Sequence, residues 1–206
     1  MIRTILVLLA ALLAFPAFAQ TVPAPASAPA ANPRVALETA AGRIVVEVYA
    51  DKAPVTAANF LKYVDQRRLD GITFYRVVKV ADHFGFVQFG VQNAPKKVLP
   101  RIRHEPTTLT GIKHLDFTLS MPRLAPGTAQ GEFTIMVGDQ PSFDADPSKP
   151  GDNLGYAAFA RVVEGQDVVL RIFDAPRSPD AMIMGSFKGE IPVAPVKILT
   201  ARRVAP

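Results

Sequence analysis

The chain has 206 residues, 49% of them apolar, with no cysteine and no tryptophan. That is enough for one domain with an ordinary hydrophobic core, and it excludes a scaffold stapled by disulfides. The formal net charge of +5 is scattered over separate pairs, Lys96 with Lys97, Arg101 with Arg103 and Arg202 with Arg203, so no nucleic-acid partner is expected.

Residues 1–19, MIRTILVLLAALLAFPAFA, carry one cation at Arg3, then an apolar run, Pro16, and a small-x-small ending at Ala17 and Ala19. This is the pattern of a secretory signal peptide, with Gln20 as the first mature residue. An uncleaved membrane anchor is the competing reading, but the run is short for a span and ends in a processing signature. Export places the mature protein in the periplasm, with no membrane span left in it. Residues 20–33, QTVPAPASAPAANP, are rich in Ala and Pro and read as a flexible linker, so the folded domain is expected over residues 34–206.

Residues 34–40 and 43–49 alternate β-branched residues on either side of Ala41 and Gly42, which predicts a hairpin. Pro54 opens PVTAANFLKYVDQ, where Val55, Ala58, Leu61 and Val64 recur at three-residue steps with Phe60 alongside, the pattern of an amphipathic helix. Residues 71–92, GITFYRVVKVADHFGFVQFGVQ, are the stretch that most needs explaining. Strict alternation there turns Thr73, Tyr75 and Val77 one way and Phe74, Arg76 and Val78 the other. A guanidinium among apolar neighbours must be paired, reach water, or line a pocket where its donors act on something bound. Asp82 or Glu132 is the expected partner if Arg76 is ion-paired. After a polar kink at residues 79–83, a second apolar run at 84–89 carries Gln88. An Arg and a Gln rising from adjacent strands among phenylalanines predict a shallow apolar cleft suited to an uncharged ligand such as peptide backbone.

Further on, residues 93–110 read as a long surface excursion, 115–121 as a strand, 122–130 as a turn-rich loop and 133–137 as a strand. Residues 138–153 read as a second loop, 155–163 as a strand, Gln166–Phe173 as a short helix and 193–204 as a closing strand. Short strands with one early and one late helix, and no βαβ alternation, predict a mainly β fold, a closed antiparallel eight-stranded barrel capped by two helices. His83, His104 and His114 are too scattered for a metal site. Asp144, Asp146 and Asp152 fail the pattern of a calcium loop, because Gly155 stands where the bidentate glutamate belongs and Pro147 and Pro150 interrupt the run. Ser120 and Ser142 lack a nucleophile motif and suit capping or turn roles. No cofactor is expected.

Four pieces, APVTAANFLKYV, ITFYRVV, HLDFTLSM and GYAAFARVVEGQDVVLRI, stand in an order that resembles the cyclophilin family of peptidyl-prolyl isomerases, and the likeness runs from Arg34 to Val204. The resemblance implies that Arg76 is the catalytic arginine and Gln88 the active-site glutamine. It implies that Phe86 and Phe143 belong to the proline pocket, and that Tyr156 stands where many members carry histidine. Glu132 falls on a second glutamine and Thr134 on a pocket phenylalanine. Both depart from the pattern: a carboxylate removes amide donors, and a threonine leaves one wall thin. Gln88 follows Arg76 by twelve positions, several more than usual in the family. The resemblance therefore treats residues 79–83 as an inserted bulge, with Gly85 where a pocket phenylalanine is expected and Phe84 or Phe86 filling the space. The lack of tryptophan argues against strong binding of the family's cyclic peptide inhibitor. The implied partners are proline-containing unfolded polypeptides, and nothing argues against a monomer. A catalytically weak peptide-binding module and a structural envelope component are the alternatives.

Overall fold

The computed structural model describes residues 31–205 apart from 93 and 184; the leader expected at 1–19 and most of the expected linker lie outside the described residues. Two strands, β1 (Arg34–Thr39) and β2 (Gly42–Val48), form the first hairpin. They are followed by helix α1 (Pro54–Asp65), then β3 (Thr73–Ala81) and β4 (Phe84–Gly90). A single helical turn, α2 (Thr107–Thr110), precedes β5 (Thr118–Met121) and β6 (Glu132–Val137). The chain ends with β7 (Ala157–Glu164), α3 (Gln166–Phe173), two-residue strands β8 (Arg177–Ser178) and β9 (Ile191–Pro192), and β10 (Val196–Val204). Eight strands close into an antiparallel barrel in the order β1-β10-β3-β4-β6-β5-β7-β2, and β8 pairs with β9 outside it. The expected barrel is present, with a third, one-turn helix beyond the two anticipated.

Inward-facing rings fill the barrel. Phe60 of α1 meets Phe133 edge-on at 5.1 Å and Phe159 at 5.3 Å, and Phe89 lies 4.9 Å from Phe74. Helix α1 buries Thr56, Ala57, Phe60, Leu61, Tyr63 and Val64, whereas Ala58 is exposed. A 3.6-residue period drifts off a strict three-residue step, so the buried stripe runs through Ala57 and Phe60. Phe117 is only partly buried.

The excursion at 93–110 is more than surface. Its Glu105 is 1% exposed and accepts hydrogen bonds from the Val55 N–H (3.1 Å), the Thr56 N–H (2.8 Å) and the Thr56 hydroxyl (2.7 Å). The free N–H groups and the positive end of the dipole at the start of α1 are thus answered by a carboxylate fifty positions downstream.

The strand reading around Arg76 needs one correction. Phe74 pairs with Phe89 and Arg76 with Gln88, so an extra residue, Tyr75, is bulged between them. The bulge shifts the alternation by one, placing Phe74 and Val77 in the core while Arg76 and Val78 turn outward. The bulge expected at residues 79–83 is present at Val80, the extra residue between Lys79 and Ala81. Residues 79–83 also lengthen the β3–β4 hairpin, which turns at Asp82 and His83. The strands there approach so closely that a Cβ on Gly85 (φ +152°) would stand 1.9 Å from the Val78 carbonyl oxygen. A phenylalanine cannot occupy that position.

Candidate active site

Register builds one row of side chains across four strands. Arg76 on β3 lies opposite Gln88 on β4, Gln88 opposite Thr134 on β6, and Thr134 opposite Ser120 on β5. The row forms part of the lining of a cavity of about 550 Å³. Phe86 stands two positions from Gln88 on the same face, and its ring lies 5.9 Å from Phe143, which in turn lies 5.3 Å from Tyr156. These three rings make an apolar wall beside the polar row.

A directional hydrogen-bond chain sets the polar side. Arg76 donates through one terminal nitrogen to the Gln88 Oε1 (3.1 Å), and Gln88 Nε2 donates to the Tyr75 hydroxyl oxygen (2.6 Å). The Tyr75 hydroxyl donates to Glu132, whose carboxylate also accepts from Gln88 Nε2 at 3.3 Å. Only one amide orientation satisfies both neighbours of Gln88, so the chain fixes it. The absence of a side chain at Gly90 makes room for Glu132, which lies directly over it. Burial pushes the Glu132 carboxyl above the usual carboxylate range, against the pull of the Tyr75 and Gln88 hydrogen bonds. Burial, reinforced by that carboxylate, drives the Tyr75 phenol well above its ordinary value.

Arg76 is ion-paired, but with neither expected partner. Its Nε donates to Glu190 Oε2 at 2.6 Å, while the exposed Asp82 pairs with Lys79. The guanidinium carbon lies 3.9 Å from the centre of the Phe187 ring and 5.3 Å from that of Phe86. Phe187 also lines the cavity.

Seven of the eight residues expected at the site line the cavity: Arg76, Phe86, Gln88, Glu132, Thr134, Phe143 and Tyr156. Phe84 does not. It stands 39% exposed at the start of β4, beside the hairpin turn and beyond the cavity edge. Ser120, assigned a capping or turn role, instead belongs to a buried chain in which His114 reaches Asp144 at 2.7 Å and Ser120 at 2.8 Å. That chain ties Asp144, and with it the adjoining Phe143, to the barrel. Burial holds the His114 imidazole below its ordinary pKa, opposed by Asp144. The acids of the 144–152 loop are engaged separately, Asp144 with His114, Asp146 with Ser148 and Asp152 with Arg123.

The sequence model described as cyclophilin type peptidyl-prolyl cis-trans isomerase/CLD matches residues 34–203. The chain belongs to the cyclophilin-type peptidyl-prolyl cis-trans isomerases. This cyclophilin is 38% identical over 173 residues to peptidyl-prolyl cis-trans isomerase cyp18 of Streptomyces antibioticus, covering 82% of the present chain and 96% of the relative. It is 31% identical over 173 residues to an isomerase of Acinetobacter baylyi, with 84% and 86% covered. Peptidyl-prolyl cis-trans isomerase B of Escherichia coli is 35% identical over 144 residues, with 67% and 82% covered. The crystal structure of a Cryptosporidium parvum cyclophilin shares the fold at a TM-score of 0.66 and 16% identity, covering 85% of this chain and 99% of that one. The cyclophilin is therefore an enzyme of the prolyl isomerase class, acting on proline-containing peptides.

Tyr75, Phe187 and Glu190 escaped the sequence reading. Tyr75 sits inside the Phe-Tyr-Arg triplet, where strict alternation turned it away from Arg76. Glu190 lies 114 positions from Arg76, in a stretch with no periodicity to place it.

Proposed function

We propose that the proline of an X-Pro bond seats against Phe86, Phe143 and Tyr156, and that Arg76 is the catalytic residue acting on that bond. The row from Arg76 to Ser120 beside that aromatic wall is the observation that carries the reading. Rotation about X-Pro costs roughly 20 kcal/mol because amide resonance is lost on twisting. No covalent bond is made, so the work is to favour the twisted state over the flat one. As the bond twists, the prolyl nitrogen regains a lone pair and becomes an acceptor for a guanidinium N–H. Arg76 commits Nε to Glu190 and one NH1 hydrogen to Gln88. Among the described residues no carboxylate bonds its terminal nitrogens, so N–H donors remain there for a bound peptide. With Glu132 in place of an amide, the far end of the hydrogen-bond chain offers an acceptor when ionised and a donor only when protonated.

The substrates on this reading are exported proteins folding in the periplasm. Residues 1–19 have the charge, apolar run and small-x-small ending of a secretory signal, followed by an Ala/Pro-rich tether. No helix among the described residues is long and apolar enough to cross a membrane.

The test is turnover of a proline peptide by the purified mature chain and its Arg76→Ala variant. Loss of most of the rate in a folded variant supports the assignment, and unchanged turnover refutes it. Fractionation of cells expressing the full chain tests the location: recovery with cytoplasmic markers would rule out export.

A further inference from the structure

The stretch between α3 and β10 is joined to the site by more than one contact. Val77, the residue after Arg76, donates its backbone N–H to the Glu190 carbonyl at 2.8 Å, so the backbone of Glu190 is registered against β3 beside the arginine it pairs with. The Glu190 N–H donates to the Phe187 carbonyl at 3.0 Å, closing a turn that sets the Phe187 ring over the guanidinium. Phe187 holds φ +67°, a left-handed conformation that costs energy for an aromatic residue and marks a turn held by its surroundings. Immediately after Glu190, Ile191 and Pro192 form β9 and pair with Ser178 and Arg177, which anchors the turn from the other side.

We infer that Glu190 is a positioning residue for prolyl isomerisation: it holds Arg76 by Nε, with Phe187 stacked on the guanidinium, so that the terminal nitrogens are aimed at the bound peptide. This rests on the role given to Arg76 above. An arginine has a long, freely rotating side chain, and a donor stabilises a transient state efficiently only if it is already in place when the state forms. Gln88 restrains one terminal nitrogen, and a single hydrogen bond there leaves the guanidinium plane free to swing. The second bond, at Nε, fixes the plane without consuming the other terminal donors. A carboxylate acting as a brake would instead cover the terminal nitrogens, where substrate must bind. Phe187 supplies one further ring to the cavity wall, from outside the barrel strands.

The experiment compares the mature chain with Glu190→Ala, Glu190→Gln and Arg76→Ala, measuring kcat and KM separately for one proline peptide. Thermal melting confirms folding of each variant, and the NMR signal of the Arg76 Nε–H is followed in all chains that retain it. Glu190→Ala should lower kcat about tenfold, with KM nearly unchanged. The Arg76 Nε–H signal should be sharp and slow to exchange in the wild type and broadened or lost in Glu190→Ala. Glu190→Gln, which keeps an acceptor oxygen without the charge, should recover most of kcat and the signal. A kcat that is unchanged or raised in Glu190→Ala overturns the inference, as does failure of Glu190→Gln to rescue. Full turnover in Arg76→Ala would overturn the underlying role of Arg76 itself, so the two failures are distinguishable.

Discussion

Replacing Glu132 by glutamine supplies the amide that the resemblance implies at this place, and its effect follows from the surroundings of the carboxylate. Glu132 is partly buried, accepts from Tyr75 and Gln88, and has its carboxyl pKa raised by burial. Exchanging a charged acceptor for a neutral one weakens two hydrogen bonds by about 1 kcal/mol each. Removing the anion relieves a desolvation cost of several kcal/mol. The balance favours glutamine by about 1–2 kcal/mol near neutral pH, or roughly 2–8 °C in Tm for a domain of this size. The sign with pH is set by the raised carboxyl. Below the unfolded value of 4.5 both states are protonated and the charge contributes nothing. As pH rises from 4.5 towards the higher folded value, the unfolded chain releases its proton first and the wild type loses stability. Thermal melts of wild type and Glu132→Gln from pH 4 to pH 8 should therefore nearly coincide at the acid end and separate as pH rises. A gap that is constant over this range, or a wild type more stable than the variant at pH 7, would show that the buried carboxylate does not carry this cost.

Three further expectations concern the frame around the site. Gly85→Ala sets a methyl group against the Val78 carbonyl, 1.9 Å away, and should destabilise the β3–β4 hairpin by about 3 kcal/mol or more, read from urea unfolding. Glu105→Ala strips the start of α1 of the acceptor for the Val55 and Thr56 N–H groups, and should cost about 2–4 kcal/mol by the same measurement. Because burial depresses the pKa of His114, the unfolded chain takes up a proton before the folded one as pH falls below 6.5. Stability should decline over that interval, and less so in His114→Gln, as followed by melts from pH 7 to pH 5.

Much of the architecture was legible in the sequence because it rests on local pattern. Helix α3 falls at Gln166–Phe173 as expected, and the proline start of α1 and the hairpin around Gly42 are where turn chemistry puts them. The expected strand at 115–121 begins later, at Thr118, because Phe117 takes φ +62° and Leu115 stays exposed. The bulge at Tyr75 was hidden, since an extra residue in one strand is defined by its partner strand and a single run of alternation does not reveal it. For the same reason the reading put Phe74 on the side of Arg76, although it placed Val78 with Arg76 and Val77 opposite, as found, and marked Arg76 as the residue to explain. Glu190 and Glu105 were invisible as partners because each acts through contact over a long sequence separation. The two-residue strands β8 and β9 lie among prolines and glycines and offer too little pattern to detect.

On the role proposed for Arg76, its forked donor, and not merely its charge, favours the twisted prolyl bond. Exchange NMR on a proline peptide, comparing wild type with Arg76→Lys, measures this most directly, because lysine keeps the charge and loses the planar fork. The catalysed exchange rate should fall roughly a hundredfold, equivalent to losing one or two charge-assisted hydrogen bonds, while peptide binding is retained. Exchange in Arg76→Lys as fast as in the wild type would contradict that role.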